Sequence, residues 1–393
     1  MNFKYIVVGA GLAGVTIAER IANVLNENVL IMEKRGHIGG NIYDCYDEHG
    51  ILIHKYGPHI FHTDNKKVWD YLSRFTLWHE YHHKVLGYLD GQFVPIPFNL
   101  NAIEKLFPSA LASQYMDKLI GTFGYGVKVP ILELKKSDDI KLKQLAQYVY
   151  EKVFFNYTTK QWGVSPHEID AAVTARVPIY ISRDDRYFQN TYQGMPLHGY
   201  TKMVENMLNN NKIKIMLQTD FKEILQSTEG EIKFFGNASS NCKVIYTGNI
   251  DEFFNYTCGE LAYRSTKFDF EYIQKPHFQV VATVNYPNNY DFTRITEFKH
   301  MTMQQNSYGT TILREYPQVY DRNIAGKDVP MYPVFDALNQ EIYKKYKQKA
   351  EVYDNVFFIG RLAEYKYYDM DAVVAQALNT FEQVIHNSNG CPN

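Results

Sequence analysis

The 393 residues carry 41 Lys plus Arg against 43 Asp plus Glu, a balance that gives no field to draw nucleic acid or an anionic membrane, so any anionic ligand needs placed cations. With 45% hydrophobic residues the chain buries a large core, and at about 100 to 200 residues per domain it forms two or three lobes. Cys45, Cys242, Cys258 and Cys391 contain no CxxC pair and no run reaches the ~20 apolar residues that span a bilayer; no disulfide framework and no metal site are expected, and a cytoplasmic location is.

Tyr5–Val8 reads as a buried parallel-type strand, followed by a helix with apolar Val15, Ile17, Ala18, Ile21 and Leu25 and a second strand at Val29 to Met32. Between the first strand and the helix stands Gly9-Ala-Gly11-Leu-Ala13-Gly14. Its GxGxxG spacing permits a tight turn and lets a helix N-terminus approach a pyrophosphate. Glu33, at the end of the second strand, supplies the carboxylate that takes a ribose hydroxyl and disfavours a 2′-phosphate, which points to NAD or FAD. A glycine-turned βαβ unit without a nucleotide is the plainer alternative. The run Lys34-Arg35-Gly-His-Ile-Gly39-Gly40-Asn41 lets backbone come close to a larger cofactor and favours FAD.

In Lys55-Tyr-Gly-Pro-His59-Ile60-Phe-His62-Thr63 the two histidines suit metal ligation on a helix, but Gly57-Pro58 argues against a helix and no acidic third ligand is near. His82-His83 reads as a surface or strand pair. Asp90-Gly91 lies between β-prone runs as a hairpin turn. From Asn101 the period turns helical, with Asn101 and Glu104 as a capping box, Pro108 splitting two helices and a third around Leu142, Leu145 and Val149. Tyr157 and Trp162 offer ring faces and polar tips, or are core aromatics at a helix end. Arg176 and Arg294 have the planar fork that grips phosphate, though an isolated Arg is more often a solvated surface residue. Phe278 to Val284 alternates as a half-buried strand does, and Tyr308 to Tyr316 is β-prone. Lys243–Tyr246 and Asn355–Arg361 are strands running to glycine, the latter followed by an amphipathic helix at Ala372 to Phe381. The dinucleotide part is therefore expected to be discontinuous, from 1–84, 196–258 and 331–393. A helical part at 99–172 and a sheet and substrate part from 85–98, 173–195 and 259–330 complete the division.

An E-K-R run at Glu33 followed by Gly39-Gly40 is typical of glutathione-reductase-like flavoproteins. Asn41, the Lys55–Thr63 loop, Asn156–Gly163, the arginine segments and Gly360-Arg361 through Asp369-Met370-Asp371 resemble the UDP-galactopyranose mutase family, in order, over nearly the whole chain. The resemblance implies an α/β fold with an FAD-binding Rossmann-like domain, a helical lobe and an antiparallel β-sheet lobe. It implies FAD contacts at Gly9, Gly11, Ala13, Gly14, Glu33, Lys34, Arg35, Gly39, Gly40, Asn41, His59, Ile60, Gly360, Arg361, Tyr367, Asp369 and Met370. The substrate would meet Val153, Tyr157, Thr158, Trp162, Arg176, Tyr187, Asn285, Arg294, Tyr332 and Tyr367, with His59, His62, Arg176, Arg294, Tyr367 and Asp369 at the reacting centre. Asp184 to Phe188 resembles the family's mobile lid, with Tyr187 reaching a phosphate.

The implied reaction turns a nucleotide-linked hexopyranose, UDP-galactopyranose first, into the furanose through an adduct between sugar C1 and N5 of reduced FAD. The partners implied are the nucleotide-diphosphate sugar, an external reductant for the flavin and a second copy in a homodimer. Three positions depart from the family pattern: Val153 replaces a phenylalanine that stacks on uracil, and Tyr180 and Glu260 stand where arginines are usual. Stacking contributes ~1 to 3 kcal/mol per base, so the departures leave dTDP-fucopyranose or UDP-N-acetylgalactopyranose open as the substrate. A flavin oxidoreductase of the same fold and a redox-silent FAD-binding module are the readings outside the mutase class.

Overall fold

A computed structural model of the chain describes residues 3–155, 160, 178–228, 231–234, 237–238, 242–305, 308–324 and 328–386. Its centre is a parallel sheet of five strands in the order Ile213–Met216, Val29–Met32, Tyr5–Val8, Lys243–Tyr246, Val356–Phe358. Tyr5–Val8 lies in the middle and all four of its residues are buried, as a strand covered on both faces must be. Alternate side chains feed two cores. Tyr5 and Val7 point to one with Ile17, Ala377 and Leu378, while Ile6 and Val8 point to the other with Val244, Tyr246, Phe253 and Tyr346. Helix Leu12–Arg20 packs against helix Met370–Thr380 over the first face, so the two ends of the chain close one layer.

The second sheet has seven strands in the order Tyr332–Pro333, Tyr263–Ile273, Thr310–Val319, Arg294–Glu297, Thr283–Asn285, Val85–Leu89, Gln92–Ile96. Every pair is antiparallel except Thr283–Asn285 against Val85–Leu89, which run parallel and join strands from distant parts of the chain. Asp90 (φ 45°) and Gly91 (φ 82°) make the tight hairpin that their sequence called for. The expected strand at Phe278 to Val284 is only Thr283–Asn285, because Phe278 and Gln279 give their N–H groups to the Glu297 carboxylate rather than to a neighbouring strand.

Helices Leu100–Leu106, Ser109–Phe123 and Ile140–Val149 form the third part around Ile103, Tyr115, Leu119, Leu142 and Leu145. Pro108 does separate the first two. The cap is Asn99 rather than Asn101: its Oδ1 accepts the Ala102 N–H at 3.0 Å, while Glu104 pairs with Arg183 instead of closing a capping box. Asn99 also donates from Nδ2 to Asp185 Oδ1 at 2.8 Å, and Tyr187 N donates to the His83 carbonyl at 2.7 Å. The Asp184–Phe188 segment, expected as a lid, is thereby tied to both the helical lobe and the strand edge.

Asn99 is fully buried and satisfies a helix end and the 184–188 segment together. Replacing it with alanine removes a cap and strands its partners. We expect Asn99→Ala to destabilise the fold by ~1 to 3 kcal/mol in urea unfolding. An unchanged midpoint would remove Asn99 from this role.

Candidate functional site

Two cavities meet at the carboxyl ends of the parallel strands, the place where open α/β sheets bind ligands. The first is a long groove floored by Gly9, Gly11, Ala13, Gly39, Gly40 and Gly360 and walled by Glu33, Lys34, Arg35, Asn41, His59, Arg361 and Met370. Its shape comes from close backbone packing. A Cβ on Gly14 would stand 2.1 Å from the Gly9 carbonyl oxygen, and a Cβ on Gly40 would stand 2.7 Å from Gly11 Cα. A Cβ on Gly11 would meet nothing nearer than 3.9 Å, so the helix N-terminus faces open groove there. Gly14 itself lies behind the floor.

Glu33 is buried, and its two oxygens accept Ala10 N–H at 2.8 Å and Arg35 N–H at 2.9 Å, which fixes an acceptor at the ribose position. Arg35 donates from Nη2 to Asn41 Oδ1 at 2.9 Å and lies over Tyr56, while its Nη1 is buried with no hydrogen-bond partner. A buried donor left open beside a helix N-terminus suits the oxygens of a pyrophosphate. Glu33, Arg35 and the glycine floor therefore fit a dinucleotide such as FAD.

The second cavity adjoins the first through His59, Met331, Arg361 and Met370, which line both. Ile60, His62, Tyr187, Asn285, Arg294, Tyr332, Tyr367 and Asp369 complete the walls that the sequence nominated. Arg294 Nε lies 2.6 Å from Glu315 Oε1, its register partner across the sheet. Arg361 donates from Nε to the Tyr368 carbonyl at 3.1 Å and from Nη1 to the Met331 carbonyl at 3.2 Å, with its guanidinium over Tyr332 and Tyr367. Those two rings stack at 5.7 Å, and burial holds the Tyr367 hydroxyl well above the ordinary tyrosine value, so it stays a donor.

His54, His59 and His83 are held neutral chiefly by desolvation. His59 is pushed down to about 3 by burial first and then by His54, Arg361 and Arg294; His83 is likewise pushed to about 3, chiefly by burial. His59 Nδ1 lies 2.9 Å from the Gly57 carbonyl, so it carries the proton and leaves Nε2 as an acceptor. His54, also pushed to about 3, takes the His59 N–H on its Nδ1 at 3.0 Å and so sets the loop that carries His59. His62 stacks on Phe188 at 3.6 Å, with Nδ1 2.9 Å from Asn190 Oδ1. Among the described residues neither His59 nor His62 belongs to a cluster of three metal-binding groups.

Several wall residues were not nominated. His83, Phe188, Thr283 and Arg264 all line the second cavity. The Tyr81–Lys84 stretch puts His82 outward beside Glu80 and His83 inward, a choice that a doubled histidine does not reveal. Val153 is 8% exposed and lies on the same buried face as Leu145 and Val149 in the helical-lobe core; it is not among the described residues that line the cavity. Tyr180 lies under Lys128 at the helical lobe, and Glu260 pairs with Arg322 at 3.4 Å; neither departure from the family pattern lines the cavity. Tyr157, Thr158, Trp162 and Arg176 fall outside the described residues.

Residues 152–367 match the family model for UDP-galactopyranose mutase, and residues 7–75 match that for an NAD(P)-binding Rossmann-like domain. A dTDP-fucopyranose mutase of Escherichia coli is 34% identical over 98% of this chain and 99% of its own. The chain belongs to the UDP-galactopyranose mutase family. The UDP-galactopyranose mutase of Mycoplasma genitalium is 35% identical over 98% of this chain and 95% of its own. In fold, a crystal structure of reduced UDP-galactopyranose mutase superposes with TM-score 0.71 at 16% identity, covering 99% of this chain and 95% of that one. As a family member the protein is an isomerase of the mutase type, built on an FAD-binding type of Rossmann fold. No described helix is long and apolar enough to cross a membrane.

Buried His54 and His83 and half-buried His59 make this mutase sensitive to acid. An unfolded histidine binds its proton near 6.5, whereas His54, His59 and His83 bind theirs near 3 in the fold. Between those values the unfolded state holds more protons, so stability falls as pH drops below about 6.5. His300, raised by its contact with Glu297, acts in the opposite sense. Urea unfolding should give a lower free energy at pH 5 than at pH 7. His54→Asn, which keeps an acceptor for the His59 N–H, should flatten that slope, and an unaltered slope would contradict the assignment.

Proposed function

We propose that the protein converts UDP-galactopyranose into UDP-galactofuranose with reduced FAD as its cofactor. The observation that carries this reading is the shared wall of His59, Met331, Arg361 and Met370, by which a dinucleotide groove opens directly into a cleft lined with arginines and tyrosines. A cofactor ring at that wall would face the cleft in which Arg294 and the tyrosines would hold the diphosphate of a sugar substrate. Bound in the groove, reduced flavin would supply a nucleophilic nitrogen for the anomeric carbon, in a reaction with no net redox change.

The chain supplies orientation and charge. Arg294, held by Glu315, is the diphosphate cation, and Tyr187, Tyr332 and Tyr367 are hydroxyl donors to the same oxygens. His59, neutral with Nε2 open as an acceptor, and the Asn285 Oδ1 and Thr283 Oγ1, buried with no hydrogen-bond partner, receive sugar hydroxyl protons. His62 and Asp369 complete the sugar side of the cleft. Arg176, Tyr157, Thr158 and Trp162 are assigned by family resemblance to the other phosphate and the nucleoside. The groove formed from 1–84, 196–258 and 331–393 holds FAD, an external reductant primes it, and the working unit is a homodimer.

The deciding experiment reduces the protein with dithionite and offers UDP-galactopyranose, dTDP-fucopyranose and UDP-N-acetylgalactopyranose, with furanose read by chromatography. UDP-galactofuranose should form only after reduction, with no reductant consumed in proportion to product. Turnover of dTDP-fucopyranose alone would overturn the substrate, and stoichiometric reductant use would move the protein to the oxidoreductases.

Arg294 offers the sharper test of the site. A charge-assisted contact contributes ~1.5 to 3 kcal/mol, so Arg294→Ala should lower kcat/KM roughly tenfold to a hundredfold or more with the flavin spectrum unchanged. Arg294→Lys should recover only part, since a point charge lacks the fork. Because alanine leaves the buried Glu315 without its partner, thermal melts must accompany the kinetics. Full kcat/KM in Arg294→Ala would place the diphosphate elsewhere.

A further inference from the structure

The strand that carries Arg294 ends at Glu297, roughly 10 Å further along the sheet. The Glu297 carboxylate is wholly buried and accepts the backbone N–H groups of Phe278 at 3.1 Å and Gln279 at 2.9 Å. Two imidazoles close on the same carboxylate. His277 Nδ1 lies 3.4 Å from Oε1, and His300 Nε2 lies 3.2 Å from Oε2. The rings face each other at 5.0 Å and 29°, and the three ligand atoms all lie within 4.8 Å of one another.

We propose that His277, Glu297 and His300 bind one divalent transition-metal ion of the zinc class, with water completing its coordination. Bonds of about 2.0 to 2.1 Å in a tetrahedral site hold neighbouring ligand atoms about 3.3 Å apart. His277 Nδ1 and His300 Nε2 stand near that spacing from different oxygens, 3.4 Å from Oε1 and 3.2 Å from Oε2, so one ion would be chelated by both carboxylate oxygens, and the 56% exposed His277 side chain has room to turn toward it. Two imidazoles with one carboxylate select zinc, nickel or copper over calcium or magnesium, which want oxygen alone.

The surroundings are compatible with a cation. A carboxylate has about four acceptor sites, and two N–H groups leave room for a metal bond. The Gln279 carbonyl, 2.9 Å from His300 Nε2, offers a further oxygen beside the ion once the ion replaces the ring proton. Lys299 Nζ, the neighbouring ammonium, donates to the Pro276 carbonyl at 2.8 Å and the Gly309 carbonyl at 3.1 Å. His277 opens the site to solvent, so the metal has an entry path. Bound there, it ties the segment that leads into Thr283–Asn285 to the strand of Arg294, and so braces one wall of the cleft from outside.

The test uses the untagged flavin-loaded enzyme after chelator treatment, titrated with zinc chloride by calorimetry and studied by X-ray absorption at the zinc edge. One zinc per chain should bind with a nitrogen and oxygen shell, and zinc should raise the melting temperature. His277→Ala and His300→Ala should each weaken affinity by roughly tenfold or more and abolish the thermal gain. His277 is largely exposed, so its variant keeps the test valid if His300→Ala fails to fold. Absence of saturable uptake, sulfur in the metal shell, or unchanged affinity in His277→Ala would each overturn the proposal.

Discussion

The backbone of Gly40 lies so close to that of Gly11 that a Cβ at residue 40 would stand 2.7 Å from the Gly11 Cα. Gly39 N–H donates to the Ala10 carbonyl at 2.9 Å and locks the approach. This contact brings the N-terminus of helix Leu12–Arg20 and the 39–41 loop into one floor, and leaves the open face of Gly11 as the groove. The loop from Tyr56 to His62 then runs from the groove to the neighbouring cleft, with His54 accepting the His59 N–H to fix its course.

The cleft itself answers a problem set by composition. A chain of formal net charge −2 has no general attraction for a dianion, so the positive character must be local. Arg294 and Arg361 supply it, and each is held in place by a partner: Glu315 for the first, the Met331 and Tyr368 carbonyls for the second. Burial keeps His59 and His83 neutral between these cations, so the histidines add hydrogen-bonding atoms without adding repulsion. The seven-stranded sheet sets the spacing, since Arg294 and Asn285 are register partners on adjacent strands.

Much of this was legible because it is local. Strand Tyr5–Val8, the GxGxxG turn, Glu33, the Asp90-Gly91 hairpin and the strands at 243 and 356 each follow from steric or hydrogen-bonding demands within a few residues. The places that misled were decided by distant partners. Tyr263–Ile273, the longest strand among the described residues, alternates charged Lys267, Asp269 and Glu271 with aromatic Phe268, Phe270 and Tyr272, but its partner, Thr310–Val319, is set only by the fold. Asn99 is the cap because it is the residue before the helix whose Oδ1 meets the Ala102 N–H, while Asn101, inside the first turn, spends its amide on Arg183 and Asp185, far along the chain.

The sequence by itself determined the cofactor-binding unit, since only glycine permits the backbone approaches at residues 14 and 40 and only an acid at 33 fits the ribose position. It determined the family as well, through motifs that keep their order. Tertiary structure decided which side chains share a surface: His83 faces the cleft and His82 faces water, Val153 joins a core, and His277 meets Glu297 and His300. The physical reason is that facing is set by strand alternation and helix phase against a partner element that lies outside the motif itself. Motif spacing fixes local chemistry, but burial and charge at a site arise from that long-range packing.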